Sequence, residues 1–472
     1  MSGPDAVVVG SGPNGLAAAL TLAPEGWSVR VIEGDAHAGG GCRSEEVTLP
    51  GFTHDLCASV HPLLVASPFF RQVDLASRGV RLVTPKVAFA HPLDGGRAAA
   101  VSGSVEETAA ALGPDGPAYQ HLYEPLVRRS DAVVDAVMGS LREIPERPIS
   151  ATRFAVVAVL PASRLATRFR TEHARALLAG AAAHAGRPLD SALTAGFGLL
   201  LTALAHSGGW PVVEGGSQAL VSAMIEELEG LGGTVETGRW VRSLAELPAA
   251  RAVLLDVAPR AVLELAGDRL PSRYRRALGT FQYGAGVHKV DWALSGPVPW
   301  EAPVCREAVT LHVGGTFEEV AEAEAAVAAG RHPERPFCIV VQAGVVDPTR
   351  APSGGQTLWG YCHVPPGSDV DMTERVEAQV ERFAPGFSRL IQARTVRTAA
   401  QMEAYNPNYV GGDINGGAAT LLQTFLRPAA RWNPYRTGVP GLYLCSASTP
   451  PGGGVHGMCG ARAARTALAD LP

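Results

Sequence analysis

Lysine is nearly absent from this chain, which carries only Lys86 and Lys289 among its 40 basic residues. The formal net charge is −5, and no basic tail or block of like charge is present, so a nucleic-acid partner is not expected. The seven cysteines, at 42, 57, 305, 338, 362, 445 and 459, include no CxxC pair and no regular spacing. That excludes a zinc cluster, a disulfide framework and a dithiol redox centre, and leaves reduced thiols in the cytoplasm as the expectation. Long apolar runs are missing too. Ala192 to Ala205 is broken by Gly196 and Gly198 and falls short of the roughly 20 residues a membrane span needs, so a buried helix is expected there. The apolar start has no basic n-region, which argues against a signal peptide. No short repeat or low-complexity tract appears.

What is present describes a loop-rich globular enzyme of two interleaved domains: 472 residues, 46% hydrophobic and 18% charged, with 54 Gly and 36 Pro. The strand Ala6-Val7-Val8-Val9 runs into Gly10-Ser11-Gly12-Pro13-Asn14-Gly15 and then an Ala/Leu-rich helix. Gly10 suits the tight turn, Gly12 a close backbone approach to a pyrophosphate, and Gly15 close packing of helix on strand. Pro13 fits the first helical turn, and the helix amides face the phosphates. A second strand, Ser28 to Ile32, ends at Glu33, eighteen positions after Gly15, where a carboxylate can accept both ribose hydroxyls and would repel a 2′-phosphate. The motif by itself fits NAD and FAD equally.

Further along, Gly39-Gly40-Gly41-Cys42-Arg43-Ser44 reads as a second backbone approach to the same cofactor, with Arg43 available to a phosphate, followed by a hairpin through Leu49-Pro50-Gly51-Phe52. Residues from about 66 to 205 read as a mostly helical cap. After Gly208-Gly209-Trp210-Pro211 come a helix over Leu220 to Leu231 and strands at Thr234 to Glu236 and Arg251 to Asp256. Strands at Gly286 to Trp292, Phe337 to Gln342 and Gln356 to His363, with helices at Phe317 to Ala329 and Thr373 to Phe383, suggest an antiparallel sheet. Gly441 to Ser448 then enters a turn, Thr449 to Gly457, and an Ala-rich helix. That helix N-terminus could face the N1/C2=O edge of a flavin.

These segments in this order resemble the FAD-dependent phytoene desaturase and phytoene-dehydrogenase-related oxidoreductases, a branch of the flavin amine oxidase-like superfamily. The residues carrying the likeness are Val9 to Gly15, the triple glycine with Arg43 and Ser44, and Gly51 to Asp55 with Ser59-Val60-His61-Pro62. Further marks are Gly215-Gly216-Ser217-Gln218, Lys289-Val290-Asp291-Trp292, Gly411 to Asn415, and Gly441 to Leu444 through Pro451 to Gly454. The resemblance implies an α/β fold: a glutathione-reductase-type, Rossmann-like FAD-binding domain (1–65, 206–285, 405–472) with an interleaved α+β substrate domain (66–205, 286–404). It implies non-covalent FAD, held at Gly10, Ser11, Gly12, Pro13, Asn14 and Gly15, at Glu33 and Gly34, and at Gly40, Gly41, Cys42 and Arg43. Val241 falls at the adenine, and Ser446, Gly453, Gly454 and Val455 fall near the flavin. Relatives often place an acid where this chain has Ser446-Ala447-Ser448.

Such an enzyme would pass a hydride from a C–H bond of an isoprenoid, fatty or polyketide-like substrate to flavin N5 in a dry pocket. His456, beside the last helix and able to titrate near neutrality, is the first candidate for a base; its alternative role is a helix cap. Tyr409 and Asn415 are further candidates on the same wall, with Glu214 and His61 behind them. Oxygen, a quinone or a diffusing carrier would reoxidise the flavin, and a lipophilic substrate extends the expectation to peripheral membrane contact. Amine oxidases of the superfamily carry a lysine near N5 on the strand before a Pro/Trp turn, whereas Ala293-Leu294-Ser295 precedes Gly296-Pro297 here, which disfavours an amine oxidase. Without a second strand-GxGxxG-helix unit, a disulfide reductase is disfavoured as well. A flavin-dependent isomerase, ene-type reductase or amine/alcohol oxidase remains as an alternative. So does a non-enzymatic prenyl- or lipid-binding protein of the Rab GDP-dissociation inhibitor architecture.

Overall fold

The computed structural model describes residues 3–139 and 147–471. Two sheets organise it. The first is a five-stranded parallel sheet in the order Leu442–Leu444, Ala252–Leu255, Ala6–Val9, Val29–Ile32, Thr234–Glu236. Its central strand, Ala6–Val9, is buried at all four positions, as a parallel strand covered on both faces requires. Helix Pro13–Leu22 follows it directly and packs against the last helix, Met458–Asp470. That contact is close because residue 460 is glycine: a Cβ there would lie 1.8 Å from the Asn14 carbonyl oxygen.

The second sheet has seven strands in the order Ile391–Arg397, Gly286–Leu294, Gln356–Val364, Cys338–Val341, Ala308–Val313, Val87–Leu93, Arg97–Ser102. It is mixed where the sequence suggested an antiparallel sheet, because Ala308–Val313 pairs parallel to Val87–Leu93. The two strands between residues 87 and 102 also correct the mostly helical reading of 66–205. Val-Ala-Phe-Ala-His-Pro-Leu is buried throughout, so it lacks a two-residue alternation, and the partner strand is Ala-rich and weakly β-forming. Residues 140–146 of that stretch lie outside the described residues. The helices predicted at 317 and 373 are present as Phe317–Ala328 and Thr373–Phe383. The apolar stretch forms helix Thr194–Ser207, packed on Glu172–Ala183. Among the described residues, no helix is long and apolar enough to cross a membrane.

The chain passes between the two sheets four times. One buried ionic cluster ties the first two of these crossings to a loop of the mixed sheet. Arg350 donates from Nε to Asp347 at 2.6 Å, from Nη1 to Asp55 at 3.0 Å, and from Nη2 to the Val213 carbonyl at 2.8 Å. Asp55 also accepts from the hydroxyls of Ser44 and Ser59 and from the amide of Ser217, while Asp347 accepts from the amide of Gly215. Burial pushes the Asp55 carboxyl up, and Arg350 with these donors pulls it below the ordinary range. Several segments that carry the family likeness, Gly51 to Asp55, Ser59 and Gly215 to Gln218, therefore converge on one set of satisfied charges.

Candidate active site

The first strand leaves the parallel sheet at Gly10, whose φ of +100° is one that L side chains rarely adopt. Gly15 serves packing: a Cβ there would fall 2.1 Å from the Gly10 carbonyl oxygen. Ser11 is tied to the end of the second strand, with its amide 2.9 Å and its hydroxyl 2.6 Å from Glu33 Oε2. The other oxygen of Glu33 accepts from the Asp35 amide at 2.9 Å. Glu33 thus fixes the turn and still faces a cavity of about 520 Å³.

The triple glycine arrives from the opposite side. A Cβ on Gly40 would lie 3.1 Å from the Cα of Gly12, so the two glycine turns nearly touch. Arg43 is almost fully buried; it pairs with Asp35 at 2.7 Å and lies 4.4 Å over the Tyr405 ring. Its guanidinium is therefore braced at the cavity wall. Gly34 makes room for an indole, because a Cβ there would sit 2.4 Å from Trp240 Cε3; Trp240 and Val241 both line the cavity. At the C-terminal side Ser446, Gly453, Gly454 and Val455 line it, with Gly453 seated against the Asn415 carbonyl.

Of the cofactor residues expected from sequence, all but Ser11 and Gly15 line this one cavity, and those two support the turn from behind. The catalytic candidates separate. Tyr409 and Asn415 line the cavity; the Tyr409 hydroxyl lies against Gly41 and Cys57, and burial raises its pKa well above the ordinary value, so it keeps its proton. His456 does not line it. Its Nδ1 accepts from the Met458 amide at 3.1 Å and its Nε2 lies 3.1 Å from the Gly452 carbonyl. Burial lowers its pKa to about 4, which corrects the expectation of titration near neutrality: the ring caps the last helix. His61 is buried against Ser217, and Glu214 pairs with Arg81 at the surface.

Sequence reasoning missed Asp256. It ends strand Ala252–Leu255, and its Oδ2 accepts from the Gly15 amide at 2.8 Å. Burial is the main reason its pKa rises to about 7, with the charge of Glu33 adding to the rise and the Gly15 amide opposing it. An acid at the carboxyl end of a central parallel strand was the available signal.

Part of the same cavity forms a chamber walled by Val60, Thr310, Ile339, Val341, Trp359 and Tyr361. These side chains come from or sit against the mixed sheet. The acidic residues lining the cavity, Glu33, Asp35, Asp256 and Glu264, all come from segments that follow strands of the parallel sheet. Behind the chamber wall, Lys289 Nζ lies 5.1 Å from the Trp359 ring centroid and 2.5 Å from Asp291.

One continuous cavity thus joins the two glycine turns, the C-terminal glycines and an apolar chamber, and this arrangement fits FAD. The NAD(P)-binding Rossmann-like domain matches residues 8–73. The rat protein "Pyridine nucleotide-disulfide oxidoreductase domain-containing protein 2" is 25% identical, over 99% of this chain and 94% of its own. An oxidoreductase from Methanosarcina mazei superposes with a TM-score of 0.64 at 15% identity, covering 98% of this chain and 99% of that one. Cyclohexylamine oxidase from Brevibacterium oxydans does so with 0.60 at 15%, covering 99% and 98%. The fold is the Rossmann-like FAD-binding oxidoreductase fold. In this fold the parallel sheet carries the glycine cradle, and the mixed sheet supplies the chamber.

Proposed function

We propose that the protein is an FAD-dependent dehydrogenase of the desaturase type, acting on a lipophilic isoprenoid, fatty or polyketide-like substrate. The observation that carries this reading is the chamber of Val60, Thr310, Ile339, Val341, Trp359 and Tyr361 at the mixed sheet, to which none of the acidic lining residues belongs, since all four follow strands of the parallel sheet. When bound, FAD supplies a hydride acceptor at N5, so that loss of a hydride and of a proton from the neighbouring carbon leaves C=C. The chain's own contribution is to exclude water and align the reacting C–H bond. Tyr409 holds its proton at neutral pH, and no carboxylate stands among the chamber residues named to pair with an ammonium group. Oxygen, a quinone or a diffusing carrier would take the electrons onward. Peripheral contact with a lipid surface belongs to the same proposal, supported by helix Leu421–Leu426, which follows cavity residues Ile414 to Gly416 and exposes Leu421, Leu422, Phe425 and Leu426.

An amine oxidase is the second reading. Cyclohexylamine oxidase shares the fold, and buried Lys289 behind Trp359 weakens the sequence objection that no lysine is in place. The test is to mix the anaerobic holoprotein with isoprenoid, fatty and polyketide-like compounds and with primary amines while following the visible flavin band. Bleaching by a lipophile and not by amines is expected. Bleaching by amines alone overturns the desaturase reading, and a colourless protein that takes up no FAD overturns both.

A further inference from the structure

The chamber contains one polar pair that the proposed chemistry does not use. His184 follows helix Glu172–Ala183 and lines the cavity, and its Nε2 lies 2.9 Å from Nε2 of His312. His312 sits on strand Ala308–Val313 and is fully buried, between Phe89 at 5.0 Å and Phe337 at 6.1 Å, ring centre to ring centre. The helix comes this close because residue 180 is glycine: a Cβ there would lie 2.5 Å from His312 Cβ and 2.7 Å from its Nδ1.

A single proton lies between the two Nε2 atoms, so the pair has two arrangements. His312 Nδ1 is enclosed and has no hydrogen-bond partner among the described residues. A proton placed there would bury a donor with nothing to receive it, and an orphaned buried N–H is rarer than an orphaned acceptor. We therefore assign the shared proton to His312 Nε2, with His184 Nε2 accepting. The proton of His184 is then on Nδ1, which makes no hydrogen bond to the described residues and is not enclosed. Both rings stay neutral, because burial lowers His184 to about 3 and takes His312 well below its ordinary value. The outcome is an uncharged N–H donor, held by a rigid histidine pair, on a residue that lines the chamber alongside Thr310, Trp359 and Tyr361.

We propose that His184 binds an oxygen acceptor, a carbonyl or hydroxyl oxygen, on an otherwise lipophilic substrate, and that His312 is the positioning residue that fixes its tautomer. This rests on reading the chamber as the substrate end. A pure hydrocarbon would leave the donor unpaired in a dry site, and a site built to hydrogen-bond oxygen discriminates against the analogue lacking it.

The test uses the FAD-loaded full chain and three isoprenoid probes, farnesene, farnesol and farnesal, with binding read from tryptophan quenching and the shift of the visible flavin band. Farnesal and farnesol are expected to bind about tenfold more tightly than farnesene, the scale of one hydrogen bond. His184→Phe should erase that preference, read as the ratio of farnesal to farnesene affinity. His312→Phe should erase it too, and His312→Gln, which can still donate to His184, should keep it. Equal affinity for the three probes in the unaltered protein overturns this inference and leaves the lipophilic reading standing. A preference that survives His184→Phe overturns it as well. Failure of all three to bind overturns the lipophilic reading and this inference together.

Discussion

Asp256 Oδ2 accepts a hydrogen bond of 2.8 Å from the amide of Gly15, 241 positions away in the chain. A carboxylate therefore sits at the helix start on which a cofactor diphosphate is expected to rest. Its pKa of about 7 lies above the ordinary 3.8 chiefly through burial, so the native state holds a proton that the unfolded chain has already released. Native stability without cofactor then falls as pH rises from about 4 to about 7. FAD, being anionic, is expected to bind less tightly as the carboxyl ionises through the same upper value. Asp256→Asn should flatten both profiles, read by thermal melts of the cofactor-free protein and by FAD fluorescence titration across that range. An unchanged slope in the variant would contradict the assignment.

Gly15→Ala should damage cofactor retention and stability together. The added methyl meets a carbonyl oxygen at 2.1 Å, and backbone cannot swing aside as a side chain can. An overpacking cost of roughly 1–3 kcal/mol is expected, measured by chemical denaturation, with flavin lost on desalting. Full retention of flavin and unaltered stability would refute the close packing of helix on strand.

Arg350→Met should destabilise the protein by about 3–5 kcal/mol, because it strands Asp55 and Asp347 as buried uncompensated carboxylates. The exposed pair Arg436–Asp470 is the control: Arg436→Met should cost no more than about 1 kcal/mol. Similar urea midpoints for the two variants would show that burial of the Arg350 cluster adds nothing.

Leu422→Ser with Phe425→Ser should abolish flotation with anionic or neutral liposomes while leaving flavin content unchanged, since both side chains are exposed on a helix outside the cofactor cradle. If the unaltered protein stays in the soluble fraction in the same flotation, lipid contact is ruled out.

The cradle was legible because its signals are local. A strand, three glycines, a helix and an acid eighteen residues on are set by steric needs within one βαβ unit, and Glu33 and Gly40 both meet that turn. Asp256 was harder to read, since its partner is remote in sequence. The strand at Val87–Leu93 was hidden by burial on both faces, which erases the alternation that marks a half-exposed strand. His184 had no signal at all: it follows an alanine-rich helix, and its meaning comes from Gly180 and His312. His456 misled for the converse reason. A histidine beside a helix start serves equally as a base or a cap, and only its two backbone partners distinguish the roles.

The packing of Met458–Asp470 on Pro13–Leu22, through Gly460 and the Asn14 carbonyl, sets a segment remote in sequence against the first helix. The glycine turn is local, yet strand Leu442–Leu444 and Gly453, which complete the sheet and the cavity wall, lie far along the chain from it. The glycine turn alone is therefore half a cradle, and holding a flavin depends on the segment from Leu442 to Asp470 as well. A truncation that removes only the last helix should yield a colourless product even though its entire GxGxxG turn is present.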